Sequence, residues 1–122
     1  MILVDTSVWI DHFRKGDDRL VDLLNKGEVL GHPFIIGELA CGNLGRRDLV
    51  LDLLHRLPQA SAARHEEVLN LIRSAILFGK GLGWTDCHLL ASARLTPCAL
   101  WTKDRPLLAA ATELEVAFPV GA

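Results

Sequence analysis

The chain has 122 residues, half of them hydrophobic and 23% charged, enough for one domain with a real core. No apolar run approaches the ~18 residues of a membrane span, and the opening "MILVDTSVW" has neither a basic n-region nor a small-residue cleavage pattern, which argues against a secretory signal. Three cysteines without a CxxC spacing argue against a disulfide scaffold and suit a reducing cytoplasm, while a net charge of −2 neither demands nor forbids a phosphate-rich partner.

In chain order, residues 2–4 read as a short strand ending at Asp5. "TSVWIDHFRK" follows as a helix, with Thr6 or Ser7 as its N-cap. Residues 17–27 form a second helix, with Asp17 in capping position, Leu20, Leu23 and Leu24 on one face and Gly27 as a stop. Residues 28–30 are a short strand, and Pro33 opens a helix through "PFIIGELACG". Residues 46–57 are helical and stop before Pro58. Residues 65–81 read as one long amphipathic helix with Val68, Leu71, Ile72 and Ala75 inward. After the loop "GLG" comes a helix through "WTDCHLLASA", with Thr85 as its cap. "CALW" at 98–101 is a buried strand, "RPLLAAA" a helix and "VAF" at 116–118 a last strand. Strands alternating with helices predict a single α/β domain over residues 1–122 with a mostly parallel sheet.

Four acids stand at the ends of these elements. Asp5 closes the first strand, Asp104 follows the "CALWT" strand, and Asp86 falls in the first turn of its helix. Glu38 sits mid-helix with Phe34, Ile35 and Cys41 at helical spacing, so it is expected on an apolar stripe; Asp86, with Leu89, Leu90 and Ala93, repeats that pattern. Each acid alone has an ordinary structural reading: a turn former for Asp5, an N-cap for Asp104, a charge at a helix N-terminus for Asp86 and, with the least support because its helix has little polar face, a solvated helix face for Glu38. Four converging carboxylates, however, would repel one another and force some to keep protons. A hard divalent cation, Mg²⁺ or Mn²⁺, removes the conflict and equips such a site for water activation and phosphodiester displacement. With these four acids set aside, basic residues slightly outnumber acidic ones.

The segments "ILVDTSVWIDHF", "IIGELACG", "GLGWTDCHLLASARL" and "LWTKDRPL" resemble, in order and over nearly the whole chain, the PIN-domain nucleases, specifically the VapC toxins of prokaryotic toxin–antitoxin pairs. The resemblance implies an α/β PIN-like three-layer sandwich with a central, mostly parallel sheet flanked by helices. It implies that Asp5, Glu38, Asp86 and Asp104 are catalytic and metal-binding, with Thr6, Ser7 and Thr102 orienting them or bound water. Leu107 stands where a Phe is often found in the family. The implied activity is Mg²⁺- or Mn²⁺-dependent endoribonucleolysis of structured RNA such as tRNA or rRNA. The implied partners are a VapB-type antitoxin, whose C-terminal segment fills the active-site groove, and a second copy of the chain in a homodimer.

Other residues are weighed beside these. Arg14, Lys15 and Arg19 cluster after the first helix, and Lys103 and Arg105 flank Asp104. All are candidates for a passing phosphate backbone, although charge runs are usually solvated faces. Trp84 is the best aromatic candidate for an RNA base, whereas Trp101 reads as core and His12 as a surface residue. The Cys87–His88 pair lacks zinc-ligand spacing, and His88 is expected to point away from Asp86. The apolar faces around Phe34, Ile35 and Ile36, and around Leu51, Leu53 and Leu54, read mainly as core, with an antitoxin or dimer surface as the alternative. Two competing functions stay open: a phosphoreceiver-like domain, for which "WTK" is suggestive but the single Asp in "LVDTS" is not, and a nuclease-dead regulatory binding domain.

Overall fold

The computed structural model describes residues 1–119. Its element order is β1 (Ile2–Val4), α1 (Thr6–Lys15), α2 (Asp18–Asn25), β2 (Val29–Leu30), α3 (Pro33–Cys41), α4 (Arg47–Arg56), α5 (His65–Ser74), α6 (Trp84–Leu95), β3 (Ala99–Trp101) and α7 (Arg105–Glu113). The three strands form one parallel sheet in the order β2-β1-β3, flanked by helices. Ile2 and Leu3 pair with Val29 and Leu30 on one side and with Ala99 and Leu100 on the other. The expected last strand is reduced to one parallel bridge, Ala117 to Leu100.

Punctuation residues set many of the borders. Gly16 and Gly27 end their helices at φ +79° and +68°, conformations a side chain would resist. Asp17 caps α2 by accepting from the Leu20 N–H at 3.1 Å, and Pro33 opens α3. Three expectations are corrected. Asp5 itself, not Thr6 or Ser7, is the N-cap of α1, its Oδ2 facing the Ser7 N–H at 3.4 Å. Gly83, not Thr85, caps α6, and Asp86 accepts the Gly83 N–H at 2.9 Å. Helix α5 stops at Ser74 rather than running on toward Gly81, because Ile76 turns to φ +53° and the Leu77 N–H folds back onto the Ile72 carbonyl at 2.9 Å.

The core joins Leu3, Val4, Leu100 and Trp101 of the sheet to Val8, Leu20, Ile35, Leu39, Val68, Leu89, Leu90 and Leu107 of the helices. α6 is the central helix: every residue from Cys87 to Ala93 is buried, so it has no single apolar stripe. Leu107 is fully buried, so the core accepts Leu at the position where the family pattern has Phe.

The strand order places the site. After β1 the chain crosses to β2 on one side, then returns past β1 to β3 on the other. In an open parallel sheet, this reversal leaves a crevice at the carboxyl ends of the strands. Asp5 follows β1, α3 follows β2, and Thr102 to Asp104 follow β3. Because α6 runs back before β3, its N-terminus and Asp86 reach the same edge.

Candidate active site

Asp5 is the centre of the site. It is buried, and its Oδ2 accepts from Ser7 Oγ at 2.7 Å and from Thr102 Oγ1 at 2.8 Å. Each hydroxyl also accepts from the chain after β3: Ser7 Oγ from the Lys103 N–H at 3.0 Å, and Thr102 Oγ1 from the Asp104 N–H at 3.0 Å. The loop carrying Asp104 is thus tied to Asp5 through two side chains that each donate once and accept once. Asp104 caps α7, accepting the Leu107 N–H on Oδ2 at 3.1 Å. Glu38 accepts from Thr6 Oγ1 on Oε1 at 2.6 Å, which fastens α3 to the first turn of α1.

These bonds share a pattern. In Asp5, Glu38, Asp86 and Asp104 one carboxylate oxygen takes all the hydrogen bonds, while the other has no protein donor among the described residues. The acids also feel one another. Burial pushes the Asp86 carboxyl above its ordinary range, the Gly83 N–H opposes this, and the charges of Asp104, Asp5 and Glu38 push it further up. Among the described residues, no three His, Cys, Asp or Glu side chains are set close enough to share a cation as they stand.

Glu38 corrects an expectation. The buried arc of α3 is Ile35, Ile36 and Leu39, and Glu38 lies outside it, exposed like Gly37 and Cys41. It borders a groove of about 470 Å³ shared with Ile10, Phe13, Arg14 and the 42–45 turn. The basic candidates are also placed differently from expectation. Lys103 pairs with Asp11 and lies 3.7 Å from Asp17, while Arg14 and Lys15 pair with the same Asp11 at 3.5 and 3.6 Å. Arg19 lies over the Phe118 ring. Arg105 has no carboxylate within ion-pair distance among the described residues.

The aromatic residues divide as expected for Trp101, which is buried, and for Trp84, which is exposed; Trp9 is also buried. His12 has a structural role, its Nδ1 accepting the Asp17 N–H at 3.0 Å between α1 and α2. Cys87 and His88 are both buried, and His88 packs against the Phe34 and Trp84 rings. The sequence reading missed Asp11 as the partner of Lys103, though its i+3 and i+4 spacing to Arg14 and Lys15 was visible. It also missed His65, whose ring lies 5.0 Å from Trp84.

Fold and crevice together define a class: an α/β domain with carboxylates gathered at the carboxyl edge of a short parallel sheet. The chain belongs to the PIN-domain family, whose model matches residues 2–113, and within it to the VapC type. It is 52% identical over 118 residues to Ribonuclease VapC32 from each of two Mycobacterium tuberculosis strains, covering 96% of this chain and 95% of that protein. The solved structure of FitAB bound to IR36 DNA fragment matches with a TM-score of 0.59, covering 96% of this chain and 92% of that one; at 19% identity it bears on the fold alone. Family membership displaces the phosphoreceiver reading. No described helix is long and apolar enough to cross a membrane.

Proposed function

We propose that residues 1–122 act as one nuclease domain: a divalent-metal-dependent endoribonuclease, the toxin of a VapBC-type pair, that cleaves structured RNA such as tRNA or rRNA in the cytoplasm. The observation that carries this reading is the set of four carboxylates, each with one oxygen tied down and one without a donor, close enough for three of them to push up the fourth. The relatives' name, Ribonuclease VapC32, supports the reaction class.

Oxygen-only donors with spare lone pairs match a hard cation that keeps several waters, so Asp5, Glu38, Asp86 and Asp104 would hold Mg²⁺ or Mn²⁺. When bound, such an ion supplies charge against the phosphodiester and a more acidic water. The chain's own part is orientation. Ser7 and Thr102 fix the Asp5 carboxylate plane, Thr6 restrains Glu38, and the Gly83 and Leu107 N–H groups hold Asp86 and Asp104. The groove beside Arg14, which Glu38 borders, would receive substrate or an antitoxin's C-terminal segment next to that acid. A second, apolar groove of about 410 Å³, lined by Trp9, Phe13, Leu53, Leu54 and Leu57 among others, suits an apolar face of the antitoxin. Exposed Leu69, Ile76, Phe78 and Leu95 offer apolar area for a homodimer, which light scattering of the isolated chain measures.

The deciding experiment incubates RNA with the chain in Mg²⁺, in chelator, and as Asp5→Asn. Cleavage to 5′-phosphate and 3′-hydroxyl ends in Mg²⁺ only, falling at least about a hundredfold in the variant, is expected. Full activity of Asp5→Asn in chelator refutes the reading, and inactivity of the wild type in Mg²⁺ favours a nuclease-dead binding domain.

A further inference from the structure

A run of rings borders the acids and has no part in the chemistry above. Trp84 opens α6 two residues before Asp86, and Phe34 lies one helical turn before Glu38. Phe34 meets His88 at 4.3 Å between ring centroids, His88 meets Trp84 at 4.7 Å and 82°, and Trp84 meets His65 at 5.0 Å and 51°. The run passes from the interior to water: His88 is buried, Phe34 is half-buried, Trp84 is 40% exposed, and His65 at the start of α5 is exposed.

Leaving an indole in water forgoes the stabilisation of burying it. Here it is also held by the ring of His65 from α5 and that of His88 from its own helix, so stacking on it costs little further ordering. Two residues along the chain is Asp86, one of the carboxylates proposed to hold the ion that would meet a phosphodiester, and any phosphodiester in that crevice carries bases on both sides. Resting on the nuclease reading, we infer that Trp84, flanked by His65, is a stacking platform for one unpaired nucleobase of the RNA beside the cleaved bond. Every base offers a π-face, so the platform selects by availability rather than by identity. A base in a duplex is already stacked, whereas a base in a loop or single strand is available.

The chain carries its own probe, because Trp9 and Trp101 are 4% and 2% exposed and added quencher or ligand reaches Trp84 first. The test titrates a short single-stranded RNA, an abasic strand of equal length and a blunt duplex into the full chain in chelator, reading tryptophan fluorescence, with filter binding alongside. Single-stranded RNA is expected to quench, and the abasic strand and duplex to quench far less. Trp84→Ala should weaken filter binding of single-stranded RNA about ten- to a hundredfold, while Trp84→Phe keeps most of it. Equal quenching by the abasic strand, no quenching by the base-bearing strand, or Trp84→Ala binding like wild type overturns the platform. A Trp84→Ala effect confined to antitoxin binding overturns it too, in favour of a protein contact. Asp5→Asn separates the two readings: under the platform it quenches like wild type whatever its cleavage, so lost cleavage with no base-dependent quenching sinks the platform alone.

Discussion

His32 is the buried titratable residue with the clearest consequence. Its Nδ1 accepts the Phe34 N–H at 3.0 Å, which caps α3, so the ring proton sits on Nε2 and is donated to Ser92 Oγ at 2.9 Å. Burial, with the His88 charge adding to it, pulls its pKa down to about 4 from 6.5. The folded value is the lower one, so the unfolded chain takes a proton first as pH falls. Stability from this site is complete above about pH 6.5 and drains away down to about pH 4, by up to about 3 kcal/mol. Urea unfolding at pH 7 and pH 4.5 should show the difference, and His32→Asn, which keeps a capping oxygen, should flatten it. Ile76 makes the opposite point. A β-branched residue at φ +53° is strained, and its side chain is mostly in water. Ile76→Gly is expected to raise stability by about 0.5–1 kcal/mol in the same assay.

Among elements, the decisive joint is between α1 and the chain after β3. Two hydroxyl relays through Ser7 and Thr102 and the Lys103–Asp11 pair all cross it. The Asp11 and Asp17 carboxylates hold the Lys103 ammonium between them in an arrangement partly open to water, and Lys103, with Lys15 and Arg14, lowers the Asp11 pKa against a smaller desolvation effect. A lysine already neutralised by acids releases few counterions when RNA arrives. Arg105→Gln should therefore lower the slope of log K against log salt by about 1, while Lys103→Gln changes it less. Equal slopes for both variants would show that Lys103 leaves Asp11 for the phosphate.

For the whole molecule, the crevice brings carboxylates near enough to raise the pKa of Asp86, a strain that the proposed cation would relieve. The raised Asp86 pKa means that its ionisation disfavours the folded state, so this contribution is present below the unfolded pKa of 3.8 and lost as pH rises through the raised value. Asp86→Asn keeps an oxygen for the Gly83 N–H and removes the charge. Without metal it should raise stability by about 0.5–1 kcal/mol, a modest value because the group is only half-buried. Mg²⁺ should raise the wild-type Tm and leave that of the variant nearly unchanged. Scanning calorimetry with and without Mg²⁺ checks both; a wild-type Tm indifferent to Mg²⁺ would count against the metal site.

Much of this was legible in one dimension. Asp17, Gly27, Pro33 and Pro58 mark element borders because their backbone and capping chemistry is local, and the three parallel strands lie where the short apolar runs are. Placing Asp5 and Asp104 at strand ends needed only those borders and the parallel-sheet rule. Faces were harder. Glu38 was expected on an apolar stripe and is exposed, because helical spacing says which residues share a face but not which face the sheet covers. The end of α5 was misplaced because an Ile at positive φ gives no signal in a sequence. The Lys103–Asp11 pair and the Trp84–His65 contact join residues 92 and 19 positions apart. Periodicity within an element determined the parts and the edge where the acids lie; the packing of one element on another, which depends on all their side chains at once, decided which charges and rings meet.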